Sequence, residues 1–190
     1  LRPPPSATSP PPSSSIGRPS SPFPWLLLGL LLALTRLWAE DCHNVFCRSR
    51  FDGQAVAGAA QALDLDFGGR LVLIGLDPPA PAPADQPLRF TLYWRLSGPV
   101  SEDYSIAAQL WDAAGHLVGQ QDAWHPGGQP THRWLPGGYA ADAHALVPYA
   151  GTLPGAYRLM IGVYPVGGEN VEVRAADGRP LGRYYAAGPV

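Results

Sequence analysis

Lysine is missing from this 190-residue chain, and all 13 of its basic residues are arginine. That excludes a phosphate-cradling Gly-rich loop, whose lysine must reach the terminal phosphates. The arginines are scattered and the formal net charge is -2, so there is no electrostatic footprint for a nucleic-acid backbone and no nucleic-acid partner is expected. Serine is concentrated in the N-terminal tail and no Gly-x-Ser-x-Gly elbow occurs, which removes that signature of a serine nucleophile. Cysteine is confined to Cys42 and Cys47. In an oxidising compartment so close a pair could close a small disulfide loop, with two thiols in a flexible linker as the equal alternative. With His43 between them the pair leaves a tetrahedral metal site one ligand short, at a spacing that matches no standard zinc pattern. Neither a resident metal nor a cofactor is expected.

Long apolar runs are also scarce. Residues 25–34 are nearly continuous Leu, interrupted by Gly29 and Ala33 and closed by Thr35 and Arg36. The run is shorter than the ~20 apolar residues a spanning helix needs. Arg18 upstream and the Leu37-Trp38-Ala39 tripeptide downstream suit a signal peptide or a short anchor over residues 25–39, with 25–38 touching the membrane. Before it, residues 1–24 are dominated by Pro and Ser, a composition that buries too little surface to offset chain entropy and predicts a disordered tail. After it, residues 40–66 read as a linker, with an Ala- and Gly-rich stretch at 53–63 that suggests a weak helix. Arg36, Arg48 and Arg50 follow the apolar run while only Arg18 closely precedes it, a bias that by itself would leave the C-terminal part in the cytoplasm.

From Phe67 onward the period is two. Leu88, Phe90, Leu92, Trp94 and Leu96 fall on one face of a strand, opposite Arg89, Thr91, Tyr93 and Arg95. Tyr104, Ile106, Ala108 and Leu110 repeat the pattern, as do Tyr157, Leu159, Ile161 and Val163. Residues 71–76 are an unbroken apolar run of strand length, which predicts a central strand. Turn residues separate these runs: Asp112-Ala-Ala-Gly115, Pro154-Gly155, Gly167-Gly168 and Asp177-Gly178. The regular spacing predicts an all-β fold, an immunoglobulin-like antiparallel β-sandwich of about seven or eight strands over residues 67–190. A disordered tail and one apolar helix precede it.

Chemistry-bearing residues gather between the later strands. Asp122, His125, His132, Asp142 and His144 lie close in sequence, and Asp142 and His144 share a face if residues 139–147 form a strand, as a metal or an acid/base pair would require. Against this, the residues lack a recognised ligand spacing, and His in Gly- and Pro-rich loops is usually solvated. Trp111, Trp124, Trp134 and Tyr139 could present flat faces to a sugar ring, although Trp in sandwiches is largely buried. Trp94 reads as core and Trp134 as a plug at one end, whereas Trp124 has no periodic partner and is expected to be exposed. The candidate binding set is therefore Trp124, His125, His132, Arg133 and Trp134, a stacking face beside hydrogen-bonding groups on a loop at the end of the sandwich.

The segment Trp134-Leu-Pro-Gly-Gly, followed by Asp142, Pro148, Leu153-Pro-Gly-Ala-Tyr-Arg-Leu159, Ile161-Gly-Val-Tyr164 and Asp177-Gly-Arg-Pro-Leu-Gly182, resembles a bacterial β-sandwich domain. That domain occurs at the C-terminus of multi-spanning membrane glycosyltransferases of the protein-mannosyltransferase-like class. Phe67-Gly-Gly, Leu73-Ile-Gly75, Leu92-Tyr-Trp94, Leu110-Trp-Asp112 and Pro130-Thr131 fit it in the same order, so the likeness covers about residues 67–185. Two departures stand out: the multi-spanning catalytic part is absent, and Gly138 stands where the domain often carries Glu. The resemblance implies a domain outside the cytoplasmic membrane that does not itself transfer sugar. The leading expectation is a non-catalytic accessory or interaction module, membrane-attached or secreted, with glycan or envelope protein as partner. Its rivals are a C-terminal piece of a membrane glycosyltransferase whose catalytic region lies upstream of Leu1, and a small metal-dependent hydrolase built on the His/Asp cluster.

Overall fold

The computed structural model describes residues 23–40, 49–50, 56, 59–83 and 86–190. Residues 1–40 and 41–190 form separate units. In the first, α1 (Phe23–Glu40) carries the apolar run. Pro24 falls in its first turn, where a missing N–H removes no helix bond. Leu26, Leu27, Leu30, Leu31, Leu32 and Leu34 are all exposed. Thr35 Oγ1 approaches the carbonyls of Leu31 and Leu32, at 2.9 and 3.0 Å, the local back-bonding open to a helical threonine. No described helix is long and apolar enough to cross a membrane. The helix begins inside the stretch assigned to the tail, at Phe23; the rest of that tail, and both Cys42 and Cys47, lie outside the described residues.

The second unit is an all-β sandwich. Its described strands are β1 (Ser49–Arg50), β2 (Gln61–Phe67), β3 (Leu71–Asp77), β4 (Leu88–Leu96), β5 (Tyr104–Trp111), β6 (Leu117–Ala123), β7 (Gly138–Leu146), β8 (Arg158–Pro165), β9 (Val173–Ala175), β10 (Pro180–Gly182) and β11 (Tyr185–Pro189). They make a seven-stranded sheet in the order β1-β7-β4-β3-β2-β9-β10 and a four-stranded sheet in the order β11-β8-β5-β6. Every pairing is antiparallel. β4 and β7 are neighbours in one sheet, β5 and β8 in the other, as strands B and E, and C and F, are in the immunoglobulin sandwich.

The periodicity of β4 places Leu88, Phe90, Leu92, Trp94 and Leu96 in the core. Trp94 is fully buried and meets Phe67 edge to face, ring centroids 5.2 Å apart at 73°. β3 has neighbours on both sides, β2 and β4, and both of its faces are covered. Leu71, Leu73 and Leu76 enter the main core, while Val72 and Ile74 lie beneath Val56, Ala59, Tyr93 and Tyr139. A register shift falls between Leu73 and Gly75, and because both faces of the strand are covered it reads as an unbroken apolar run rather than an alternation.

Two expectations need correction. The described strands number eleven against the seven or eight expected, three of them, β1, β9 and β10, being only two or three residues long. The linker assigned to residues 40–66 contains β1 and most of β2, and no helix occurs among its described residues beyond Glu40. Leu63, Leu65 and Phe67 alternate with Asp64 and Asp66, a strand signal that the Ala- and Gly-rich composition just upstream obscures; Leu65 and Phe67 are buried against β3 and β9.

Candidate functional site

The five-residue His/Asp cluster comes apart in three dimensions. Asp142 and His144 do share the inner face of β7, opposite Leu92 and Phe90. The His144 ring is wholly buried, 2.8 Å from Asp142 through Nε2, and it stacks on Phe90 with centroids 4.8 Å apart at 4°. Its Nδ1 has no hydrogen-bond partner among the described residues. The second Asp142 oxygen accepts the Gly127 N–H at 3.1 Å. Gly127 sits at φ 64°, and a Cβ there would lie 2.8 Å from that of Ala140, so the loop can approach β7 this closely only through glycine. The pair therefore acts as a peg that pins the β6–β7 loop.

A second peg holds the far end of that loop. Thr131 is fully buried; its Oγ1 accepts the Tyr104 N–H at 2.9 Å and donates to the Glu102 carbonyl at 3.3 Å. His132 Nδ1 lies 2.8 Å from Asp103 Oδ1, which also accepts the His132 N–H at 3.2 Å. Burial pushes the Asp103 carboxyl up, but the hydrogen bonds and charge of His132 and the charge of His125 outweigh it and hold it below the usual carboxylate range. Of the candidate binding residues, Trp124 is 64% exposed, as the lack of a periodic partner predicts. His125, His132 and Arg133 are exposed as well. Trp134 is half-buried against the core and its Nε1 donates to the Gln129 carbonyl at 3.1 Å, so it braces the loop. No three His, Cys, Asp or Glu side chains gather as a metal set among the described residues.

Asp122 belongs elsewhere, in a groove of about 420 Å³ on the outer face of the four-stranded sheet. Tyr104, Ile106, Ala108 and Leu110 of β5 face the core, so Ser105, Ala107, Gln109 and Trp111 face outward. Ala107 stands between Asp122 on β6 and Gly162 on β8, and Gln109 between Gln120 and Met160. The small residues of the first row form the depression. A Cβ on Gly162 would meet the Tyr184 ring at 2.9 Å and Asn170 Oδ1 at 3.0 Å; glycine lets both lie on the floor. Tyr184 also packs on Trp111, centroids 5.8 Å apart at 53°.

The polar groups of this face form a chain. Trp111 Nε1 donates to Gln109 Oε1 at 3.0 Å, and Gln109 Nε2 makes a long contact to Gln120 Oε1 at 3.5 Å. Gln120 Nε2 donates to one Asp122 oxygen and the Tyr164 hydroxyl to the other, each at 3.0 Å. Burial raises the Tyr164 phenol, and its bond to Asp122 and the charge of Asp122 raise it further, so it stays a donor. Arg183 pairs with Glu169 at the rim. Trp124 follows directly after β6, and its carbonyl accepts from Ser105 Oγ at 3.3 Å, which sets the exposed indole at the Ser105 end of the same sheet. The sequence reading missed the groove, although outward Gln and Asp beside outward Ala and Gly carry a faint signal. No protein-family model matches the chain, and no curated protein matches it.

Proposed function

We propose that the sandwich is a non-catalytic recognition module that works outside the cytoplasm and holds a glycan on the outer face of the β11-β8-β5-β6 sheet. The groove carries this reading. Saccharide rings pair an apolar face with a rim of hydroxyls, and the groove sets the Tyr184 ring, backed by Trp111, beside Gln109, Gln120 and Asp122, which hydrogen bonds hold in orientation. Three of the five acid and imidazole groups that suggested acid/base or metal chemistry, His132, Asp142 and His144, are engaged in holding the β6–β7 loop, which supports binding over catalysis. The apolar run in α1 and the likeness to a glycosyltransferase-associated domain support export or membrane attachment through residues 25–38. Full-length protein on a glycan array tests the binding, with Tyr184→Ala and Gln109→Ala as comparisons. Wild type should retain saccharides, and both variants should lose them at unchanged secondary structure; a wild type that retains none overturns the proposal.

A further inference from the structure

Resting on the glycan reading, we infer that the groove selects uncharged saccharides and turns acidic ones away. Three charged side chains line it: Asp122, Glu169 and Arg183. Arg183 is ion-paired with Glu169, so among the described residues the one charge left without a counter-ion in the lining is the Asp122 carboxylate. Each of its oxygens receives one hydrogen bond, from Gln120 and from Tyr164, and a carboxylate has lone pairs for about four. The remaining acceptor capacity is available to a ligand donor.

The amides complete the recognition. Gln109 and Gln120 each direct one N–H along the chain that ends on Asp122, and each NH₂ retains a second N–H. A sugar hydroxyl can donate to Asp122 while it or its neighbour accepts from Gln120, so adjacent hydroxyls fit the pairing of acceptor and donor. A carboxylate or sulfate in the same place has no proton to donate and would stand against the like charge of Asp122, which repels it. Its one cationic partner would be Arg183, already neutralised by Glu169.

The experiment is calorimetric titration of the full chain with neutral oligomers of N-acetylglucosamine and of mannose, and with galacturonate oligomers of matched length, at low and high salt. Acidic oligomers should bind at least about tenfold more weakly than the best neutral one at low salt, with the gap narrowing as salt screens the repulsion. Asp122→Asn removes the charge and should weaken the neutral ligand while strengthening the acidic one. Glu169→Gln releases Arg183 from its ion pair, and it should strengthen the acidic ligand more than the neutral one, narrowing the ratio between them. Acidic oligomers that bind wild type as tightly as neutral ones, or variants that leave the ratio unchanged, overturn the selectivity while the glycan reading stands. Absence of binding by every oligomer overturns both.

Discussion

At the scale of single residues, burial separates the two tryptophans that matter most. Trp94 fills the core against Phe67, so Trp94→Ala should cost about 3–5 kcal/mol in a denaturant titration, the usual range for deleting a large buried aromatic. Its Nε1 has no partner among the described residues; Trp94→Phe removes that unsatisfied donor and should cost far less. Trp124→Ala, at an exposed site, should change stability by no more than about 0.5 kcal/mol. If the glycan extends beyond the groove toward Ser105, the same variant weakens binding; unchanged affinity would confine the ligand to the groove. Asp142→Ala leaves the buried His144 and the Gly127 N–H without their partner, and should cost about 3 kcal/mol. A loss below 1 kcal/mol would show that the peg does not hold the loop.

Elements, rather than residues, decide how the loop and the groove respond to change. The β6–β7 loop is fastened at one end by Asp142 and at the other by Asp103. Because the folded protein holds the Asp103 carboxyl below its value in the unfolded chain, roughly 3.9, its stabilisation is fully present above that pH and is lost as pH falls through the folded value. Denaturation midpoints measured from pH 6 to pH 2 should therefore fall less steeply for Asp103→Asn than for wild type; parallel curves would remove Asp103 from the acid response. The groove depends in turn on β5 lying between β6 and β8. Gly162→Ala should push the Tyr184 ring off the floor and weaken the proposed glycan binding more than it weakens the fold, read by comparing affinity with melting temperature.

For the whole molecule, the proposed export carries its own test. Expressed with its N-terminal apolar segment, the sandwich should be degraded by protease added to cells whose outer layers have been made permeable; full protection would mean that the Arg residues after the segment set the orientation. Much of the architecture was already legible in one dimension. Side-chain alternation has the same period as the pleat, so β4, β5 and β8 announced their buried faces, and the both-faced burial of β3 showed as an unbroken apolar run. Exposure of Trp124 followed from its lack of a periodic partner. Local pattern carried no information about which strands would lie side by side, since pairing joins residues far apart in the chain: Ala107 meets both Asp122 and Gly162. Sequence by itself therefore determined the long alternating strands, their inward faces and the sandwich class, but not the strands within residues 40–66. Tertiary structure alone decided that Asp142 and His144 are buried together and hold the Gly127 N–H, and that Gln109, Gln120, Asp122 and Tyr184 share one groove, because burial and cross-strand adjacency exist only once the two sheets have closed on each other.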